Sequence, residues 1–145
     1  MVEKYLIFTV MEKQYALPSR IISEVSVLEN VFPLPLVPDY MQGIINRYSI
    51  PYALIDISFF LVKNVSNAGK VIVLKEEVDK LAFLIDDVTD IADLPHESLM
   101  KIESEETAHY DVVTSFFEWK GNPVFCLEIG ELISRIKLDF EHREA

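Results

Sequence analysis

The sequence predicts a mainly β protein made of two similar halves and closed by a helix near its C-terminal end. Three features carry that prediction. Short β-branched and aromatic runs are separated by Gly, Pro and polar punctuation, a strand motif recurs half a chain later, and one late segment is amphipathic at helical spacing.

Tyr5-Leu6-Ile7-Phe8-Thr9-Val10 has strand composition, Met11-Glu12-Lys13-Gln14 is polar enough to turn, and Tyr15-Ala16-Leu17 resumes before Pro18 ends the hairpin. Further strands are expected over Glu24 to Leu28, Met41 to Ile45, Tyr52 to Ile57, Lys70 to Leu74, Leu81 to Ile85, Val88 to Ala92, Val112 to Trp119 and Val124 to Ile129. Strands this short at such intervals build barrels or a sandwich. A short helix is expected over Ser58 to Val62 and a longer one from Glu131. There, Leu132, Ile133, Ile136 and Phe140 share one stripe while Glu131, Arg135, Lys137 and Glu141 lie elsewhere. That stripe should cap an apolar face.

The repeat is read from alignment of the chain with itself. Ser49-Ile50-Pro51-Tyr52-Ala53-Leu54-Ile55-Asp56-Ile57 matches Gly121-Asn122-Pro123-Val124-Phe125-Cys126-Leu127-Glu128-Ile129 at a shift of 123 − 51 = 72. Ile22-Ser23-Glu24-Val25 matches Val88-Thr89-Asp90-Ile91 at 88 − 22 = 66, and an apolar hairpin pattern precedes each. Two units of one design are implied. Each alone buries too little surface for comfortable stability, so the two are expected to pack together and share a core. The polar segment Lys63 to Gly69 is the natural connector, which makes residues 1–145 one domain with a first subdomain over about 1–65 and a second, with the helix, over about 66–145.

Half of the 145 residues are hydrophobic (50%) and 26% are charged, a globular composition. The net charge of −11 argues against a nucleic-acid partner or an anionic membrane surface, both of which need clustered cations. Protein partners are expected instead. One cysteine, Cys126, forms no internal disulfide or thiolate metal site, and no apolar run reaches the roughly 18 residues of a spanning helix. The reading is a soluble, cytoplasmic protein without membrane insertion.

Signatures of catalysis are missing. Four scattered glycines exclude phosphate-cradling loops of the GxGxxG or GxxxxGK type, and neither GxSxG nor HExxH occurs. His96, His109 and His142 sit in polar surroundings and are expected to be solvated. Asp86, Asp87, Asp90 and Asp93 could attract a hard cation, but strand alternation divides them between two faces, so they read as turn and edge carboxylates. Asp56 and Glu128, equivalent in the two halves, leave a small acidic hydrolase as a minor alternative, without the Asp-Ser/Thr-Gly sequence such chemistry uses. No catalytic residue, metal or cofactor is assigned. Leu28, Val31, Phe32, Leu34, Leu36, Val37, Tyr40 and Met41, broken by Pro33, Pro35 and Pro38, form either a lid on the core or a docking surface.

The chain resembles the CheW-type chemotaxis coupling proteins, a domain also found as the regulatory end of the CheA histidine kinase and in CheV proteins. The resemblance rests on Tyr5 to Val10, Tyr15 followed by Glu24, Pro38-x-Tyr40-x-x-Gly43-Ile44-Ile45-Asn46, and Leu54-Ile55-Asp56-Ile57. It continues in Leu84 to Val88, Leu94-Pro95 and Val124 to Ile129. It implies two SH3-like, five-stranded β-barrels around a shared core and a non-catalytic adaptor. The implied partners are the regulatory domain of a CheA-type histidine kinase and the cytoplasmic tip of a methyl-accepting chemoreceptor. By position, receptor binding is implied for Ser19, Ile22, Glu24, Asn46, Arg47 and Tyr48, and kinase binding for Met41, Gln42 and Ile44.

One departure stands out. Where the family shows Arg-Gly, this chain has Tyr48-Ser49, so the arginine implied to pair with Glu24 is absent. Arg47 is the nearest replacement, and strand alternation puts it on the opposite face. The receptor groove is therefore expected to be altered. A β-barrel module of another two-component or motility pathway, binding a kinase but no chemoreceptor, is the alternative reading.

Overall fold

The computed structural model describes residues 2–61, 69–102 and 112–143, so the expected connector, apart from Gly69, lies outside the described residues. Strands β1 (Val2–Val10) and β2 (Lys13–Pro18) make the expected hairpin, followed by β3 (Ile22–Val27), β4 (Met41–Arg47), β5 (Ile50–Asp56) and the helical turn α1 (Ser58–Leu61). Then come β6 (Lys70–Leu74), β7 (Leu81–Ile85), β8 (Asp87–Pro95), β9 (Met100–Lys101), β10 (Val113–Trp119), β11 (Asn122–Leu127) and α2 (Ile129–Arg143). Bounds agree with expectation to within three residues. The unexpected β9 spans two residues, too short for any compositional signal. Helix α2 starts at Ile129 rather than Glu131 because the Leu132 N–H already donates to the Glu128 carbonyl, 3.1 Å away.

Two sheets result, ordered β8-β1-β2-β11-β10-β9 and β3-β6-β7-β5-β4. The expected division near residue 65 does not coincide with the division into sheets. Each half lends its opening hairpin to the other: β1 and β2 join β8 to β11, while β6 and β7 join β3, β4 and β5. Pro18, without an N–H to extend the ladder, ends β2, and a 3₁₀ turn at Ser19–Ile21 carries the chain across. The six-stranded sheet exceeds the expected five by the short β9.

The duplication extends to register. Glu24 pairs with Val73, and a shift of 66 carries this pair onto Asp90 and Ile7, which pair in the other sheet. Gly43 opposite Leu54 becomes Ser115 opposite Cys126 at a shift of 72, with a bulge beside each. Even the parallel contact of Ala53 with Leu81 has its counterpart in Phe125 with Tyr15. The sheets are two copies of one plan.

Alternation along the strands sorts the apolar residues into three clusters. Ile45, Tyr52, Leu54, Val71, Val73, Ala82 and Leu84 fill the first barrel. Tyr5, Ile7, Ala16, Ala92, Phe117, Val124 and Cys126 fill the second. Phe8, Leu17, Ile55, Ile72, Phe83 and Ile85, on the opposite strand faces, meet between the barrels. Helix α2 closes that shared centre with Leu132 and Ile136, which are 1% and 3% exposed, as its apolar stripe predicts. The Tyr40 hydroxyl donates to Asp139 on the helix at 2.7 Å, and Lys137 lies 3.5 Å from Asp79.

The loop between β3 and β4 runs against the edge of β4, where Phe32 and Ile44 exchange N–H to carbonyl bonds of 2.9 and 2.8 Å. Gly43 makes this approach possible. Its φ is +140°, and a Cβ there would stand 2.4 Å from the Phe32 carbonyl oxygen. Gly43→Ala is expected to lower unfolding stability by about 2–4 kcal/mol, from clash plus backbone strain, measurable by urea titration. A loss below about 1 kcal/mol would show that the loop yields freely.

Candidate functional site

β3 and β4 are the outer strands of the five-stranded sheet, and side chains close the gap between them. Along β3, Glu24 and Ser26 take the half-buried side while Ser23, Val25 and Val27 face out. Arg47, at the end of β4, shares the inward side with buried Ile45. Its Nε lies 3.1 Å from Glu24 Oε1, and its Nη2 donates to Ser26 Oγ. The Nε–H is not aligned on that oxygen, so the Glu24 contact is attraction between charges and the Ser26 hydroxyl sets the orientation of the guanidinium.

This corrects the expectation that Arg47 points away from Glu24. Position 48 is not in the strand. Tyr48 and Ser49 form a two-residue hairpin turn with φ values of 52° and 66°, leaving Arg47 as the last side chain of β4 that enters the barrel. Tyr48 stands outside, 86% exposed.

The other expected residues divide. Asn46 is exposed on β4, Ile22 is half-buried against the shared centre, and the Ser19 hydroxyl donates to the Lys4 carbonyl at 3.2 Å. Gln42 and Ile44 are half-buried, but Met41 is only 7% exposed and belongs to the shared centre. Met41 therefore supports the surface implied for the kinase without presenting its side chain, because the bulge between Met41 and Gly43 breaks the alternation and turns Met41 into the shared centre, on the side where Ile44 packs. Tyr40 and Met41 act as the expected lid, whereas Phe32, Leu34 and Leu36 remain exposed. Ser26, Val25 and Val27 went unassigned, although alternation from Glu24 marks all three.

The second barrel repeats this closure in different chemistry. Arg47 corresponds to Trp119 and Glu24 to Asp90, and the Trp119 indole N–H donates to Asp90 Oδ2 at 2.8 Å. Lys120, equivalent to Tyr48, reaches the same oxygen at 2.9 Å. The Trp119 bond first, then Lys120, hold the Asp90 carboxyl down at about 2. The remaining acids are occupied separately: Asp86 accepts from the Met11 N–H at 2.7 Å, Asp87 from Lys70 at 2.6 Å, and Asp93 lies 3.8 Å from Lys4. Among the described residues no group of His, Cys, Asp and Glu forms a metal site.

Neither candidate for reaction chemistry is set up for it. Asp56 is fully buried, and its Oδ1 accepts from the Ser58 N–H at 3.0 Å and from the Ser58 hydroxyl, opening α1. Glu128 is exposed at the start of α2. Burial pushes the Cys126 thiol up to about 11, so it stays protonated and weakly nucleophilic at neutral pH.

Two outcomes follow from this geometry. Ser49→Gly relieves a non-glycine residue at positive φ and should stabilise the protein by about 1 kcal/mol in chemical denaturation; unchanged or lower stability would contradict the strain. Asp90 titrates lower in the folded chain than in the unfolded one, so its stabilisation is complete above about pH 5 and disappears as pH falls toward about 2. Asp90→Asn should be less stable than the parent at neutral pH and converge with it in acid, as read by Trp119 fluorescence during unfolding. Parallel pH profiles would refute the assignment.

The described fold matches the crystal structure of the scaffolding protein TtCheW from Thermoanaerobacter tengcongensis with a TM-score of 0.79, covering 89% of this chain and 86% of that one at 17% identity. The likeness establishes the mainly β fold of two SH3-like subdomains with a C-terminal helix. No curated protein matches the sequence. The CheW-like domain family matches residues 4–137, nearly the whole chain. With its duplicated barrels and the acid-to-arginine closure of the first, the chain belongs to the CheW-like domain family.

Proposed function

We propose that the protein is a non-catalytic adaptor of chemotaxis signalling that couples the cytoplasmic tip of a chemoreceptor to the regulatory domain of a CheA-type histidine kinase. The observation that carries this reading is the Glu24–Arg47 closure at the position where the family resemblance puts the receptor groove, inside a family match over residues 4–137. The chain keeps the acid and supplies its cation from one position earlier. No helix among the described residues is long and apolar enough to cross a membrane, in keeping with a cytoplasmic protein that meets its receptor at the tip.

Receptor binding is assigned to the barrel edge around Glu24, Arg47 and Tyr48, approached through Ser19 and Ile22 and flanked by Asn46. Its outward surface combines Val25, Val27 and Tyr48, which are 38%, 62% and 86% exposed, beside the half-buried ion pair. Apolar contact then supplies affinity and the charges supply orientation. Kinase binding is assigned to Gln42 and Ile44 with the adjoining loop, supported from beneath by Met41.

Capture of purified receptor tip and purified kinase regulatory domain on the immobilised protein tests both assignments. Glu24→Lys places two cations together and should weaken receptor capture by about tenfold or more while leaving kinase capture within about twofold. Receptor capture unchanged by Glu24→Lys would remove this edge from the receptor site. Kinase capture by the parent protein without receptor capture would select the alternative of a kinase-binding module from another pathway.

A further inference from the structure

The two barrels close on one plan, and a single hydroxyl separates the results. In the first barrel, Arg47 Nε lies 3.1 Å from Glu24 Oε1 without donating to it, and both atoms are buried with no hydrogen-bond partner among the described residues. Orphaned polar atoms are costly, and an arginine beside a carboxylate ordinarily removes that cost by pairing through two parallel N–H bonds. Here Arg47 donates from Nη2 to Ser26 Oγ instead. The guanidinium is planar, so a bond that holds Nη2 also sets the direction of the Nε–H.

The second barrel supplies the comparison within the same chain. A shift of 66 carries Glu24, Val25 and Ser26 onto Asp90, Ile91 and Ala92, and the pairing agrees: Ser26 opposite Val71 becomes Ala92 opposite Tyr5. Ala92 is fully buried and has no hydroxyl to offer. There the closing side chain is aligned on its acid, with the Trp119 indole donating to Asp90 Oδ2 at 2.8 Å. Where a hydroxyl stands two positions after the acid the closure is half-formed, and where alanine stands it is complete.

We infer that Ser26 is a positioning residue of the receptor edge, its hydroxyl drawing the Arg47 guanidinium off the Glu24 carboxylate and holding the pair half-formed. A two-bond fork would consume both carboxylate oxygens and two of the guanidinium's five donors. The half-formed pair keeps that capacity. The Glu24 and Arg47 side chains retain 28% and 22% of their surface in the open, beside exposed Val25, Val27 and Tyr48, so a docking partner meets polar groups that are not yet spent on each other. The consequence for binding rests on the adaptor reading. The placement of Arg47 by Ser26 is a property of the isolated chain.

Two measurements on the full chain test these two parts. In nitrogen-15-labelled protein the Arg47 Nε–H resonance is identified by its loss in Arg47→Lys. In Ser26→Ala the freed guanidinium should align on Glu24, so this resonance should move downfield and exchange with water about fivefold more slowly, the protection of one net hydrogen bond. The melting temperature should be unchanged or higher, because one bond replaces another. Capture of purified receptor tip by Ser26→Ala should nevertheless weaken about fivefold, with capture of the kinase regulatory domain within about twofold of the parent. Ser26→Thr keeps the hydroxyl and suits a strand, and should restore both the parent resonance and receptor capture. An unmoved Nε–H in Ser26→Ala, receptor capture equal to the parent's, or Ser26→Thr behaving like Ser26→Ala overturns the proposal. A parent protein that captures no receptor tip defeats the adaptor reading, and the Nε–H comparison then decides by itself whether Ser26 places Arg47.

Discussion

The shared apolar centre between the two sheets is the constraint on which the rest of the structure depends. Phe8, Leu17, Ile55, Ile72, Leu74, Phe83 and Ile85, all fully buried there, come from the opening hairpins of both halves and from β5. Because each opening hairpin belongs to the sheet of the other half, neither barrel can close without the partner half, and the centre forms only when both are in place. The long-range pairings, β1 with β8 and β5 with β7, thus become one cooperative unit. Two barrel edges are held in a fixed relation as a result, which is what the proposed adaptor role would use.

Against that common frame, the two barrel edges have diverged in chemistry while keeping geometry. Both set an acid on the third strand of the plan against a side chain ending a hairpin strand, Glu24 with Arg47 and Asp90 with Trp119. In the first, a partly buried ion pair leaves charge beside an apolar rim, Val25 and Val27. In the second, an indole donor and Lys120 both converge on one carboxylate oxygen, so its charge is spent within the protein. The second closure therefore reads as structural. The first leaves its ion pair beside exposed Val25, Val27 and Tyr48.

Much of this was legible from the sequence, and the failures share a cause. Strands such as Lys70 to Leu74 and Leu81 to Ile85 are continuous apolar runs bounded by polar residues, so local composition defines them. The strand echoes at shifts of 66 and 72 carried the duplication, and the same arithmetic applied to Glu24 and Arg47 leads to Asp90 and Trp119. That correspondence was missed because an arginine and a tryptophan share no pattern, only a position. Sheet membership was illegible: nothing local to β2 or β11 says that they run side by side in parallel. The face expected for Arg47 was wrong for a geometric reason. Alternation tells which residues share a face, but the phase relative to the core depends on where the strand stops and the turn begins.

The strain carried by the loops bears on what the edges are for. Met11, Glu12, Tyr48, Ser49 and Lys120 all lie at positive φ, and these are the tips of two-residue hairpins, where a right-handed strand twist demands that conformation. Their cost is set by the fold. Leu36 lies in a loop of another kind, where no hairpin twist demands a left-handed residue, and it is also the most exposed large apolar residue among those described. A fold constraint accounts for the hairpin tips, whereas no hairpin twist accounts for Leu36. Tyr48 belongs to both groups. Its backbone is dictated by the β4-β5 turn and its ring by the surface it offers, so substitution there separates backbone strain, read in stability, from ring contact, read in binding.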